Sequence, residues 1–299
     1  MTSSDQLVHL HFPKLGVKGA YVQLDQSLGD LPAYAGYPIG AQALLGQALA
    51  AAALLHANVK GRSRISVQLQ SRSALRLLYG ECSEEGGLRG LAQLTEGSDA
   101  PALDQLGASA VLAITLESRS EQNRSGTRYQ GLVPITSARL DQALEHYFAT
   151  SEQLPTVLVL AADGSRARGL LLQKMPLDEH PDAALLDPDG WNRTSMLIGT
   201  LGPNELLEAD RGTILRRLFH EETLQLVDGL QLRFACTCSR ERVESMFRSL
   251  GREEAMAALA ESGLASVRCE FCDRDYRFDR IDLEAVFHPL TQPGSTVTQ

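Results

Sequence analysis

Aromatic side chains make up only 5% of this 299-residue chain, and lysine and arginine nowhere gather into a run. A nucleic-acid surface needs a positive field to neutralise phosphate and flat rings on which bases stack; with a formal charge of -9, this chain offers neither. Nucleic acid and anionic membrane are therefore disfavoured as partners. Absent too are a Walker-type phosphate loop, a GxGxxG turn and a GxSxG elbow. Nucleotide-driven and serine-nucleophile chemistry thus has no foothold, and the expectation is a protein that is not an enzyme and takes no nucleotide. The opening MTSSDQLVHLHF lacks a charged segment followed by an apolar one, so nothing suggests export and the default compartment is the reducing cytosol. Long apolar runs are also missing. The most apolar stretch, AQALLGQALAAAALLHANV at 41–59, is interrupted by Gln42, Gln47, His56 and Asn58. Its clean part is shorter than the roughly 20 residues a bilayer requires, and a buried Ala/Leu helix is expected.

Cysteine is scarce, with 5 in the chain, and 43% apolar residues suffice for a sizeable core without a disulfide framework. Yet four of the five stand in two close pairs. RFACTCSRERV (233–243) holds Cys236 and Cys238, and RCEFCDRDY (268–276) holds Cys269 and Cys272. A CxC and a CxxC, thirty residues apart, supply four thiolates of the kind that bind Zn²⁺ tetrahedrally. Such a site carries a charge of about -2, which Arg240, Arg242, Arg268 and Arg274 are near enough in sequence to offset. A closed four-cysteine site is ordinarily a passive structural clip. Each sulfur that enters a disulfide is lost as a ligand, however, so oxidation and zinc occupancy exclude each other. The spacing permits a redox switch without establishing one. Cys82, in YGECSEEGG, matches neither context and reads as a partly buried or surface thiol. His220, in FHEET, is no half of an HExxH motif, because position 224 is Leu.

Strand-like runs occupy 7–12, 19–24, 63–70, 74–80, 109–118, 129–135, 156–162 and 168–175, with a helix-patterned segment at 138–153. Paired strands around two helices predict an α+β fold, a mostly antiparallel sheet with packed helices, over a first domain at 1–176. From 177 to 232, Pro181, Pro188, Gly199, Gly202, Pro203 and Gly212 break the chain into short helical pieces. Leu197, Leu201, Leu206, Ile214, Leu218 and Phe219 are spaced to dock on something else, and helices this short are marginal undocked. The segment reads as an ordinary connector or as one held by tertiary contacts that can come loose. Residues 233–290 form a small four-cysteine domain with two helices parted at Gly251 and Ser239 as an N-cap. The tail, 291–299, is expected to be disordered.

LFHEETLQL, CTCSRERV and VRCEFCDRDYRFD, with RYQGLVPI, HYFATSEQLPT and RGLLLQKMP in the same order upstream, resemble the redox-regulated 33-kilodalton chaperonin family, heat-shock protein 33. The resemblance implies an ATP-independent holdase, activated by oxidation and heat, that keeps unfolding client proteins from aggregating. It implies that Cys236, Cys238, Cys269 and Cys272 hold one Zn²⁺ in an inactive reduced state. It further implies that oxidation joins Cys236 to Cys238 and Cys269 to Cys272, releases the metal, unfolds the 177–232 linker and favours a homodimer. Two rival readings are a zinc-ribbon protein with purely structural zinc and a thiol-disulfide oxidoreductase. The second wants its CxxC at a helix start in a thioredoxin-like setting.

Overall fold

The computed structural model describes residues 5–59, 63–118, 127–135, 137–176, 186–259 and 263–288. The chain divides into two compact units, Met1–Ala235 and Cys236–Gln299.

The first unit opens with a hairpin, β1 (Gln6–Phe12) and β2 (Val17–Leu24), turning at Gly16, whose φ of 60° suits glycine. A single turn, α1 (Gln26–Gly29), and the long α2 (Ile39–His56) follow. Next come β3 (Ser63–Gln70), β4 (Leu75–Ser83), β5 (Gly87–Leu94), β6 (Val111–Ser118) and β7 (Thr127–Pro134). The unit continues through α3 (Leu140–Tyr147), β8 (Thr156–Ala162), β9 (Ala167–Lys174), α4 (Gly190–Ile198), α5 (Pro203–Glu208), α6 (Arg211–Phe219), β10 (Gln225–Gln231) and β11 (Arg233–Phe234). Two sheets result. One has the order β10-β1-β2-β9-β8 and is antiparallel throughout; the other runs β11-β5-β4-β3-β6-β7, with only the short β11–β5 pairing parallel.

By length and composition α2 could cross a membrane, but 72% of it is buried inside the unit. Its alanines allow close approach from both sides. A Cβ at Gly80 would stand 2.9 Å from the Ala48 backbone, and one at Gly169 of the other sheet 2.6 Å from Leu54. The helix thus fills the layer between the sheets, in a core with Val22, Val67, Leu69, Leu78, Leu112 and Leu171.

The opposite face of the five-stranded sheet is covered by α4–α6. Ile198, Leu201, Leu206, Ile214, Leu218 and Phe219 pack on Leu10, Phe12, Val17, Tyr21, Leu170 and Leu172, and the Phe12 and Phe219 rings meet edge to face at 5.1 Å. Asp210 caps α6 by accepting from Thr213 N at 3.0 Å. Arg193 of α4 pairs with Asp187 at 2.8 Å and Glu222 at 2.6 Å, tying the start of this segment to its end.

Three stretches depart from the periodicity reading. Residues 87–94 and 225–231 are strands that no alternation announced. The helix expected over 138–153 ends at Tyr147, passes into a π-turn over 148–152 and stops at Gln153, whose φ is 55°. The expected tail at 291–299 lies outside the described residues, as does the domain junction following Pro176 at 177–185.

The second unit contains α7 (Arg240–Leu250), α8 (Arg252–Ala257), the antiparallel pair β12 (Ala265–Arg268) and β13 (Asp275–Phe278), and α9 (Arg280–Phe287). Its core is Val243, Phe247, Ala255, Ala265, Tyr276, Phe278, Leu283 and Val286, with Phe247 and Phe278 edge to face at 5.2 Å. Asp279 and Asp282 form a capping box at α9. A core this small supplies little stability by itself.

Candidate metal centre

Two local structures bring the four paired cysteines of the second unit together. Cys236 and Cys238 lie in the strand-free stretch just before α7, whose N-cap Ser239 accepts from Arg242 N at 3.3 Å and so fixes the chain direction at Cys238. Cys269 and Cys272 occupy the turn joining β12 to β13. There Cys269 N donates to Arg274 O at 3.0 Å and Asp273 N to Cys269 O at 2.8 Å, with Asp273 at a φ of 59° closing the turn.

All four Sγ atoms lie within 4.8 Å of one another. Cys236 and Cys269 approach to 3.7 Å, and Cys238 and Cys272 to 3.3 Å. A tetrahedron of thiolates at about 2.3 Å from a central ion has an edge of about 3.8 Å. The donor set and its spacing therefore fit one tetrahedral ion. Both short approaches run between the CxC and CxxC pairs; the edges of a tetrahedron are equivalent, so these distances do not select disulfide partners.

The electrostatics of the cluster are uneven. Burial, with hydrogen bonding to the neighbouring thiols, pushes the Cys236 thiol up to about 12 and also raises Cys272. Burial works in the same direction on Cys238, but the Tyr276 hydroxyl, which donates to its sulfur at 3.0 Å, and the neighbouring thiols outweigh it and draw the group down to about 7. Arg274 lies on the far side of this bond. Its hydrogen bond with Tyr276 and the charges of Cys238 and Cys272 hold its guanidinium more firmly protonated. Of the other arginines, Arg240 pairs with Asp282 at 3.0 Å and stacks 4.1 Å over Phe278, Arg268 pairs with Asp273 and Asp275, and Arg242 donates to Thr237 at 2.7 Å. Arg274, with Tyr276, is thus the cation that answers the cluster's charge. Cysteine spacing alone does not single out Tyr276. Its place on β13, four residues after Cys272, was the available signal.

Cys82 is fully buried on β4, against the expectation of a partly buried or surface thiol. Residues facing inward on this strand pack against α2, and burial raises the thiol to about 12. His220 caps the C-terminus of α6 and is exposed, 3.8 Å from Glu221. Glu152 accepts hydrogen bonds from Tyr129 and Tyr147 where the π-turn ends.

A family model described as Hsp33 protein matches residues 5–279. The chain belongs to the Hsp33 family. Similar curated proteins named 33 kDa chaperonin include that of Methylobacillus flagellatus, 37% identical over 299 residues and 99% of each chain. That of Pseudomonas aeruginosa strain LESB58 is 38% identical over the whole of both chains, and that of Ectopseudomonas mendocina 41% over 92% of each. The crystal structure of the Thermotoga maritima Hsp33 homologue shares the fold, with a TM-score of 0.76 at 19% identity over 95% of this chain and 98% of its own. At the level of the family, the chain is a chaperone, and its four paired cysteines are clustered.

Proposed function

We propose that this chain is an ATP-independent holdase for unfolding proteins, gated by oxidation of Cys236, Cys238, Cys269 and Cys272. The observation that carries the reading is the gathering of four thiols, at tetrahedral spacing, within a unit whose apolar core is eight buried side chains. Zn²⁺ bound there would clip the β12–β13 turn to the entry of α7 and supply much of the unit's folding free energy.

Peroxide removes that clip. Two thiols give up two protons and two electrons to one peroxide, forming one S–S bond and two waters; a second equivalent consumes the other pair. The pairs follow the family resemblance, Cys236 with Cys238 and Cys269 with Cys272. With its donors spent the metal leaves, the last unit loses stability, and the segment preceding it, 177–232, loosens in turn. Helices α4–α6 then uncover the Leu10, Phe12, Val17, Tyr21, Leu170 and Leu172 face they cover in the reduced state. That surface is the apolar ground for clients and for the oxidised homodimer.

The thiol-disulfide oxidoreductase reading fares worse, because CEFC lies in a strand-to-strand turn and not at a helix start. Purely structural zinc remains the competing account. Light scattering from a thermally unfolding client separates the two: the reduced, zinc-loaded chain should leave aggregation unchanged and the peroxide-oxidised chain should suppress it. Equal behaviour of both forms would return the zinc to a structural role.

A further inference from the structure

Strand β10 is held in an unusual way. It completes the five-stranded sheet along β1, with His9 opposite Val227, Leu10 opposite Leu226 and His11 opposite Gln225. Yet most of its side chains are exposed: every residue from Gln225 to Gly229 is, including Leu226 at 51% and Val227 at 55%, and only Leu230 packs partly against the core. A strand so placed is attached by its main chain. The ladder reads peptide groups, which every polypeptide carries, and hardly reads side chains. Nearby glycine supports the same view, because a Cβ at Gly229 would stand 2.5 Å from Leu7 O, so backbone meets backbone there.

Two consequences follow from this attachment. With little apolar area buried, β10 belongs to the low-stability end of the unit and leaves readily once α6, six residues upstream, loosens. Its departure strips β1 of partners on one edge, and unpaired amides and carbonyls beside a buried apolar sheet favour any extended chain that can replace them. We propose that the β1 edge, Gln6–Phe12, is a docking site for an extended segment of the client polypeptide, which adds a strand in place of β10. Side chains of the segment are read only loosely, which suits recognition of many unrelated unfolding proteins. This inference rests on the holdase reading and on release of the linker. Strand β10 acts as a built-in stand-in for the client, and its removal couples exposure of the apolar sheet face to exposure of a hydrogen-bonding edge next to it.

The test uses the full-length oxidised chain and a labelled peptide of residues 223–233, TLQLVDGLQLR. Two further peptides carry backbone N-methyl groups, one at the positions of Gln225 and Val227, the other at Leu226 and Asp228; alternate amides of a strand point to opposite edges. Methylation of the set facing β1 should weaken binding about tenfold or more, since it removes hydrogen bonds. The other set, and a scrambled peptide of the same composition, should bind within a few-fold of the parent. Equal binding by both methylated peptides overturns the proposal. Hydrogen exchange supplies the second reading: β1 amides should be protected in the reduced chain, exposed after oxidation, and protected again with peptide or client bound. Protection that persists after oxidation overturns it, whether β10 stays in place or a second copy fills the edge, the latter shown by concentration dependence. If the oxidised chain fails to suppress aggregation, the holdase reading has failed; if it suppresses aggregation while β1 stays exposed with client bound, only the edge proposal has.

Discussion

At the scale of single residues, the hydrogen bond from Tyr276 to the Cys238 sulfur governs how firmly the cluster holds its charge. Tyr276→Phe keeps the ring in the core of the second unit but removes the donor. Partners of this kind are worth about 10- to 100-fold in metal affinity, so zinc retention should fall by about tenfold, measured by competition with a chromogenic chelator. Peroxide should also release the metal faster; unchanged affinity and rate would show that the bond is incidental. Cys82 behaves oppositely. Its thiol is fully enclosed in the core beside α2, whereas the four clustered thiols are only half-buried. Alkylation of the native chain after chelation should therefore modify four cysteines quickly and the fifth only in denaturant, and Cys82→Ala should leave gating intact. The four clustered cysteines could be read from spacing alone, because ligand chemistry imposes a local pattern. The state of Cys82 could not, since burial there depends on a helix some thirty residues away in the chain.

Among elements, α3 and α6 do the most to hide reactive edges and faces. Helix α3 guards the outer edge of β8: Glu145 Oε1 accepts from Leu158 N at 2.7 Å and Asp141 Oδ2 from Leu160 N at 3.3 Å. Burial raises Glu145, so its charge costs stability at neutral pH and nothing once pH falls below the ordinary carboxylate range, where it is protonated folded or unfolded. Glu145→Gln keeps an acceptor for Leu158 N without the charge. Its melting temperature should exceed the parent's at pH 7, with the gain fading toward pH 4; a gain that grows in acid would reverse the assignment. Helix α6 presents Phe219 to Phe12, and removing a buried phenyl costs roughly 3–5 kcal/mol. The reduced, metal-loaded Phe219→Ala chain should suppress client aggregation in part without oxidant, as read by light scattering, while far-ultraviolet circular dichroism stays near the parent's. Strands β3 and β8 were legible to the residue because Val, Ile and Leu mark them. By contrast, β5 was hidden by Gly87 and Gly90, the latter making room for Leu45 of α2, and β10 was hidden because all its residues but Leu230 are exposed and no alternation could arise.

For the whole molecule, the two units are unequally furnished with apolar core. A large first unit has its own enclosed core around α2, whereas the second has a few apolar side chains and a four-thiol cluster. On the proposed gating, one chemical event at the cluster changes the lesser unit and the segment before it while the sheets persist. Chelation of the reduced chain should accordingly abolish a low-temperature calorimetric transition and leave the main one within a few degrees. The α+β character was legible because apolar periodicity is a local signal. The split into two sheets around one helix was not, since it depends on which strands pair across long loops.

The central claim, that oxidation of the four-thiol cluster gates chaperone activity, is tested most directly by following zinc release and suppression of client aggregation in one oxidising sample. Suppression should be absent at the start, rise only as zinc is released, and vanish when reductant and zinc are returned. Suppression by the fully zinc-loaded chain, or complete zinc release with no suppression, would contradict it.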